Sequence, residues 1–178
     1  MSIQEKVKLE VRWQVEKFVA KNSEEIAKRG LKPFETIKTG PNALLYGTAT
    51  AGEGIGNLIE LLCTIGTPTA YSSTNARLGV GDSSAAPVAS QIALQAATNK
   101  LWKGMNATYP QITGANFNQA VWQADFVDTE AEWALGWLEE TVVNTATDAG
   151  DNLCRQNTNL GIKPAGQTWR LTATITFS

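Results

Sequence analysis

Acidic side chains gather at two places, first Asp125, Asp128, Glu130 and Glu132, then Glu139 and Glu140. A carboxylate pair is the equipment of glycoside hydrolysis, and a cage of carboxylate oxygens is what calcium requires. Neither pattern is complete, because no Asp-x-Asp-x-Asp-Gly loop is present and nothing in the spacing sets the carboxylates a working distance apart. Both clusters are expected to be solvated turns. Asp82-Ser83 offers a nucleophile, yet the 178 residues contain no histidine to serve as its base, and no Ser-x-x-Lys motif replaces it. Glycines at 52, 54 and 56 precede a helical run, but the Gly-Lys-Ser/Thr ending of a phosphate loop is missing and Glu53 would repel phosphate. Gly79-Val80-Gly81-Asp82 lacks the third glycine of a dinucleotide fingerprint. The expectation is a protein that is not an enzyme, with no cofactor and no metal.

Composition narrows the partners. The net charge is −2, with 43% hydrophobic and 18% charged residues, below the ~25% charge of an average domain. A balance so close to neutral predicts neither nucleic acid nor an anionic membrane as partner. Apolar runs are far shorter than the roughly 20 residues that span a bilayer. The opening residues Met1-Ser2-Ile3-Gln4-Glu5-Lys6 have no apolar signal core, so the expected place of synthesis is the cytoplasm. Cys63, in Leu61-Leu62-Cys63-Thr64-Ile65, reads as a buried thiol, and Cys154 as a thiol on a short strand; both are expected free rather than paired.

Charge is concentrated at one end. Residues 1–38 hold nine Lys/Arg and six Asp/Glu, a net of +3, while the remaining 140 residues carry a net of −5. One reading is a charged N-terminal region, 1–40, that meets a neighbour and adjoins a neutral body, 41–178, in one compact unit. The plainer reading, which charge alone favours, is a solvated edge strand whose lysines discourage stray pairing.

Periodicity supplies the elements. Val7, Leu9, Val11, Trp13 and Val15 alternate with Lys8, Glu10, Arg12 and Gln14, the period of a half-buried strand. Asn22-Ser23-Glu24-Glu25 can cap a short helix that Gly30 ends, and Pro33 reopens an extended segment through Lys38. Residues 42–50 and 76–82 read as strands, 58–62 as a helix, and the alanine-rich stretch 86–98 as a second helix. A strand follows over 100–105, Tyr109-Pro110 turns the chain, and 117–127 is extended, whereas 133–143 fits either strand or helix. At the C-terminus Trp169, Leu171, Ala173, Ile175 and Phe177 alternate with Arg170 and three threonines. Short strands between turns predict a mainly β chain, a β-sandwich-like antiparallel domain with one or two helices. The six tryptophans are expected in a core or at a subunit interface. Candidate interface residues are Lys6, Lys8, Arg12, Trp13, Trp102 and Tyr109.

Three stretches carry a resemblance. Asn75-Ala76-Arg77-Leu78-Gly79-Val80-Gly81-Asp82-Ser83, Thr98-Asn99-Lys100-Leu101-Trp102-Lys103-Gly104-Met105 with Ala107-Thr108-Tyr109-Pro110, and Gly161-Ile162-Lys163-Pro164-Ala165-Gly166-Gln167-Thr168-Trp169-Arg170-Leu171-Thr172 resemble a family of small tailed-bacteriophage virion proteins. Glu130-Ala131-Glu132-Trp133 and Leu153-Cys154-Arg155 are similar to further family segments, while Glu140-Thr141-Val142 stands where the family has Glu-Trp-Gly. The resemblance implies a non-enzymatic structural component located in the virion. Its first form is a capsid decoration (cement) protein whose partners are the major capsid protein and copies of itself. Its second form is a tail-fibre or tail-associated protein that contacts other tail proteins and a host surface glycan.

Overall fold

The fold is taken from a computed structural model that describes residues 8–40, 45, 47, 48, 51–145 and 150–178. The chain runs β1 (Leu9–Phe18), α1 (Ser23–Arg29), β2 (Glu35–Lys38), β3 (Gly47–Thr48), β4 (Ala51–Gly52), α2 (Ile55–Cys63), β5 (Arg77–Gly81), β6 (Lys100–Gly104), β7 (Gln111–Thr113), β8 (Gln119–Phe126), β9 (Trp137–Val143), β10 (Asn152–Gly161) and β11 (Thr168–Phe177). It is mainly β and sandwich-like, with two helices.

The larger sheet has the order β2-β1-β11-β8-β7 and the smaller one β10-β9-β5-β6, while β3 and β4 form a separate ribbon. Every pairing is antiparallel. Val11, Trp13 and Val15 of β1, Trp122, Ala124 and Phe126 of β8, and Trp169, Leu171, Ala173 and Ile175 of β11 turn one face inward. They meet Leu78 and Val80 of β5, Trp137 and Val142 of β9, and Leu153, Cys154 and Leu160 of β10 in one cluster. Trp137 lies between Phe126 and Trp169, edge to face with both, at 4.7 and 5.0 Å.

The first and last strands pair along their whole length, from Leu9 opposite Phe177 to Phe18 opposite Thr168. The solvated-edge reading of the N-terminal strand is corrected for Gln14–Lys17, which β2 flanks on the outer side, while the Leu9–Arg12 half pairs only with β11 among the described residues. The next-door helix forms as its sequence dictates. Asn22 Oδ1 accepts the Glu25 N–H at 2.9 Å, and Gly30 closes α1 in the left-handed region at φ 58°.

Two expectations about local structure are corrected. Residues 86–98 form no helix but an irregular crossing from β5 to β6. Pro87 interrupts the alanine run, and side chains from distant strands satisfy the backbone instead. The Glu139 carboxylate accepts the N–H groups of Gln95 and Ala96 at 2.8 and 2.7 Å. Cys63 is exposed, not buried, because α2 packs Leu58 and Leu61 on the core and turns Cys63 away. Cys154 is buried and both thiols are free. Most of the strand expected over 42–50 lies outside the described residues, apart from β3; the ambiguous stretch 133–143 resolves into β9.

Candidate interaction surfaces

The acidic clusters show where the charges went. Asp125, Glu139 and Glu140 are buried, contrary to the expected solvated turns. Asp125 takes a two-pronged contact from Arg170, Nε to Oδ1 at 2.8 Å and Nη2 to Oδ2 at 2.9 Å, and a third bond from Asn106 Nδ2. Burial opposes its ionisation, but the bonds from Arg170, Ser23 and Asn106 outweigh it and hold the carboxyl below its usual range. Asp128, Glu130 and Glu132 do lie on a turn, and each accepts a backbone N–H, from Gly166, Val127 and Thr129 respectively. Glu130 also pairs with Lys103 at 2.6 Å. Among the described residues no three Asp, Glu, Cys or His side chains group to hold a metal ion.

Glu139 and Arg155 form a fully buried pair at 2.6 Å. Arg155 also donates to Gln91 Oε1 at 3.0 Å and to the Ala85 carbonyl at 2.9 Å. The pair therefore grips both halves of the 82–99 crossing, and its role is internal. Glu140, its neighbour, stands beside Val80 and Gln156 in the register, on the core-facing side of the sheet. Among the described residues both of its carboxyl oxygens lack a hydrogen-bond partner, as does Gln156 Oε1. Burial, then the charge of Glu139, pushes its carboxyl well above the usual range.

A second polar cluster ties the start of α2 to β10. Asn57 and Asn144 both donate to Asp151 Oδ2, at 2.7 and 2.8 Å, and Glu53 accepts the Asn152 N–H. Burial pushes the Glu53 carboxyl up to about 7, the Asn152 bond opposes that rise, and the charge of Asp151 adds to it.

Two surfaces remain that face outward. The first is the outer face of the larger sheet, a groove of about 580 Å³ with Gln14, Gln119, Gln123, Thr172, Thr174 and Thr176 on it and Glu10, Arg12 and Lys38 at its rim. Gln123 and Gln119 donate to Thr172 and Thr176 at 3.2 and 3.3 Å, so the floor is a lattice of amides and hydroxyls. The second is apolar. Ile55, Ile59 and Leu62 of α2, Ile65 just beyond it, and Val88 and Ile92 of the crossing are all exposed. No helix among the described residues is long and apolar enough to cross a membrane.

The interface candidates do not share one surface. Lys6 lies outside the described residues. Lys8 and Arg12 are exposed, and each pairs with Glu10 two residues away. Trp13 is 2% exposed and belongs to the core, so it offers no contact surface. Trp102, on the smaller sheet, is half-buried and lies over Gly79, where a Cβ would come within 2.7 Å of its ring. Tyr109 is half-buried at the turn with Pro110, where its N–H bonds the Asn106 carbonyl at 3.1 Å. The apolar surface escaped the reading of hydrophobic residues alone, but a charge map locates it. Residues 54–76 contain one charged side chain, Glu60, and residues 83–99 contain none.

No protein-family model, no curated protein and no solved structure matches this chain.

Proposed function

We propose that this chain is a non-enzymatic structural component of a tailed-bacteriophage virion, a decoration protein that binds the capsid in many copies and bridges its subunits. Support comes from the sequence resemblance and, above all, from one observation: among the described residues, six of the ten large aliphatic side chains that stand exposed lie on two nearly charge-free segments. Depletion of charge around apolar side chains is the composition of an interface core. The function is then mechanical. Each copy adds buried area between neighbours, and repetition over a shell turns modest contacts into a strong collective one. Two of the carboxylates a catalytic reading would use are engaged internally, Glu139 with Arg155 and Asp125 with Arg170. The test is the copy number per particle, by quantitative gel or mass spectrometry of purified virions. Hundreds of copies support decoration; absence from the particle removes the proposal.

The groove favours a second reading, a tail-associated protein that contacts a host glycan. Its amides and hydroxyls match the hydrogen-bonding of a neutral polyol, while Trp13, the one aromatic residue that lines it, is 2% exposed and leaves no open ring face for a sugar to stack on. Copies numbering a handful to a few tens, with glycan-array binding abolished by Gln123→Ala, would favour it over decoration.

A further inference from the structure

Helix α2 is apolar on two sides. Asn57 is buried and Leu58 and Leu61 pack on the core, whereas Ile55, Ile59 and Leu62, spaced i, i+4 and i+7, form a stripe on the other side. Their exposures are 39%, 53% and 84%, and Ile65 just past the helix is 64% exposed. The 82–99 crossing is tied down beside the start of this helix. Asn152 holds both segments: its carbonyl accepts the Gly54 N–H at 2.9 Å, and its Nδ2 donates to the Ile92 carbonyl at 2.5 Å. Ile92 and Val88 on that crossing are exposed too. Aliphatic side chains scattered singly over a surface need no explanation, but a contiguous patch does.

We infer that this surface pairs with a second copy of this chain, α2 packing antiparallel against α2 across a two-fold axis near Ile59. The occupant follows from charge and symmetry. A foreign partner is ordinarily selected by complementary charge, and these two segments offer Glu60 alone. The stripe is close to symmetric about Ile59, so an antiparallel copy sets Ile59 against Ile59 and Ile55 against the Leu62–Cys63 end. Ile55, Ile59 and Leu62 each then meet an apolar side chain, as an isologous contact requires. Six aliphatic side chains exposed to this degree offer roughly several hundred Å² per copy. With their surroundings that approaches the about 800 Å² per partner of a standard interface. The inference rests on the multi-copy reading above, and names one partner in it.

Sedimentation velocity of the full chain over a range of concentrations is the first test. The expected result is a reversible dimer that Leu62→Glu and Ile59→Glu each weaken by about a hundredfold, because Ile59→Glu sets two carboxylates face to face at the axis and Leu62→Glu buries one against the apolar Ile55 end of the other copy. Both positions are exposed, so circular dichroism should show the fold unchanged. The second test is geometric. Ile55→Cys, oxidised beside the native Cys63, should give a disulfide-linked dimer on a non-reducing gel. Within one helix those positions lie about 12 Å apart at ~1.5 Å per residue, beyond the ~7 Å that a disulfide tolerates between Cα atoms. The wild-type chain, with Cys63 alone, should cross-link far less. A chain that stays monomeric, or dimers that Leu62→Glu leaves intact, overturn the inference. So does a Leu62→Glu chain that keeps the wild-type association state but no longer loads onto heads, since the capsid is then the occupant. A monomer present in hundreds of copies per head sinks only the pairing. A dimer absent from the particle sinks only the decoration reading.

Discussion

Replacing Arg155 by Met tests whether the buried ion pair is what holds the 82–99 crossing. Arg155 and Glu139 are both fully buried, and the guanidinium also bonds Gln91 and the Ala85 carbonyl. Methionine keeps much of the side-chain volume but leaves the Glu139 carboxylate in the interior with only the Gln95 and Ala96 N–H groups facing it. Breaking one side of a buried pair costs about 3–5 kcal/mol, whereas replacing both partners is often close to neutral. Arg155→Met is therefore expected to lose about 3–5 kcal/mol by urea denaturation. The double variant with Glu139→Gln should lose clearly less than the two single losses combined, since Gln still accepts an N–H without carrying charge. The crossing should respond separately from the core. Limited proteolysis should cut Arg155→Met within 82–99 far faster than the wild type, because Ala85 and Gln91 lose their anchor. If Arg155→Met costs under about 1 kcal/mol and the crossing is cut no faster, the pair is not the clamp argued for here.

Glu53 and Glu140 should make the protein more stable in mild acid than in mild base. Both carboxyls are raised by burial, so the folded chain holds their protons more tightly than the unfolded one, and stability falls as pH climbs from about 4.5 through the folded values. For Glu53, moving from 4.5 to about 7 corresponds to about 3 kcal/mol; denaturation at about pH 5 and pH 8 should show the loss, Glu53→Gln should reduce it, and a wild-type curve rising over that window would contradict the burial argument. Trp169→Ala should cost about 3–5 kcal/mol, since Trp169 is 1% exposed, packs on Trp137 and carries Lys17 Nζ 4.3 Å from its ring; a melting point within a degree of wild type would refute its place in the core. Gly54→Ala should destabilise by about 2 kcal/mol or more, because φ is +43° and a Cβ would lie 2.1 Å from the Leu45 carbonyl oxygen; urea denaturation matching the wild type would mean the backbone there relaxes freely.

What the sequence made legible was local. The alternation of β1 and β11, the Asn22 cap and the Gly30 stop all depend on residues within a turn or a strand of one another, and the structure matches them. The misreadings have remote causes. The 86–98 stretch has helical propensity, but its backbone partners, Glu139 and Asn152, lie some 40 to 60 positions away, and tertiary contacts override propensity. Glu139 and Glu140 look like solvated carboxylates until β5, β10 and the crossing close over them. Cys63 looks buried because an apolar run does not say which face of its helix meets the core. Of the candidate surface residues, charge and aromatic type picked Trp13, whose inward turn follows from the same alternation that identified its strand.

The distribution of charge is the reverse of what a solitary domain needs. Ion pairs that could have sat in water, Glu139 with Arg155 and Lys17 with Glu35, are wholly or partly withdrawn from it, although buried pairs contribute little net stability. Aliphatic side chains that could have been buried are instead exposed on segments almost without charge. The two halves of this arrangement meet at the 82–99 crossing. A rigid surface binds with a smaller loss of conformational freedom than a loose one, and an irregular crossing has no ladder of its own to stiffen it. The Glu139–Arg155 clamp supplies that stiffness from within, using Ala85, Gln91, Gln95 and Ala96 as its handles. Buried charge here serves to hold an uncharged surface in one shape, which is worth its cost when that surface is to be covered by another subunit.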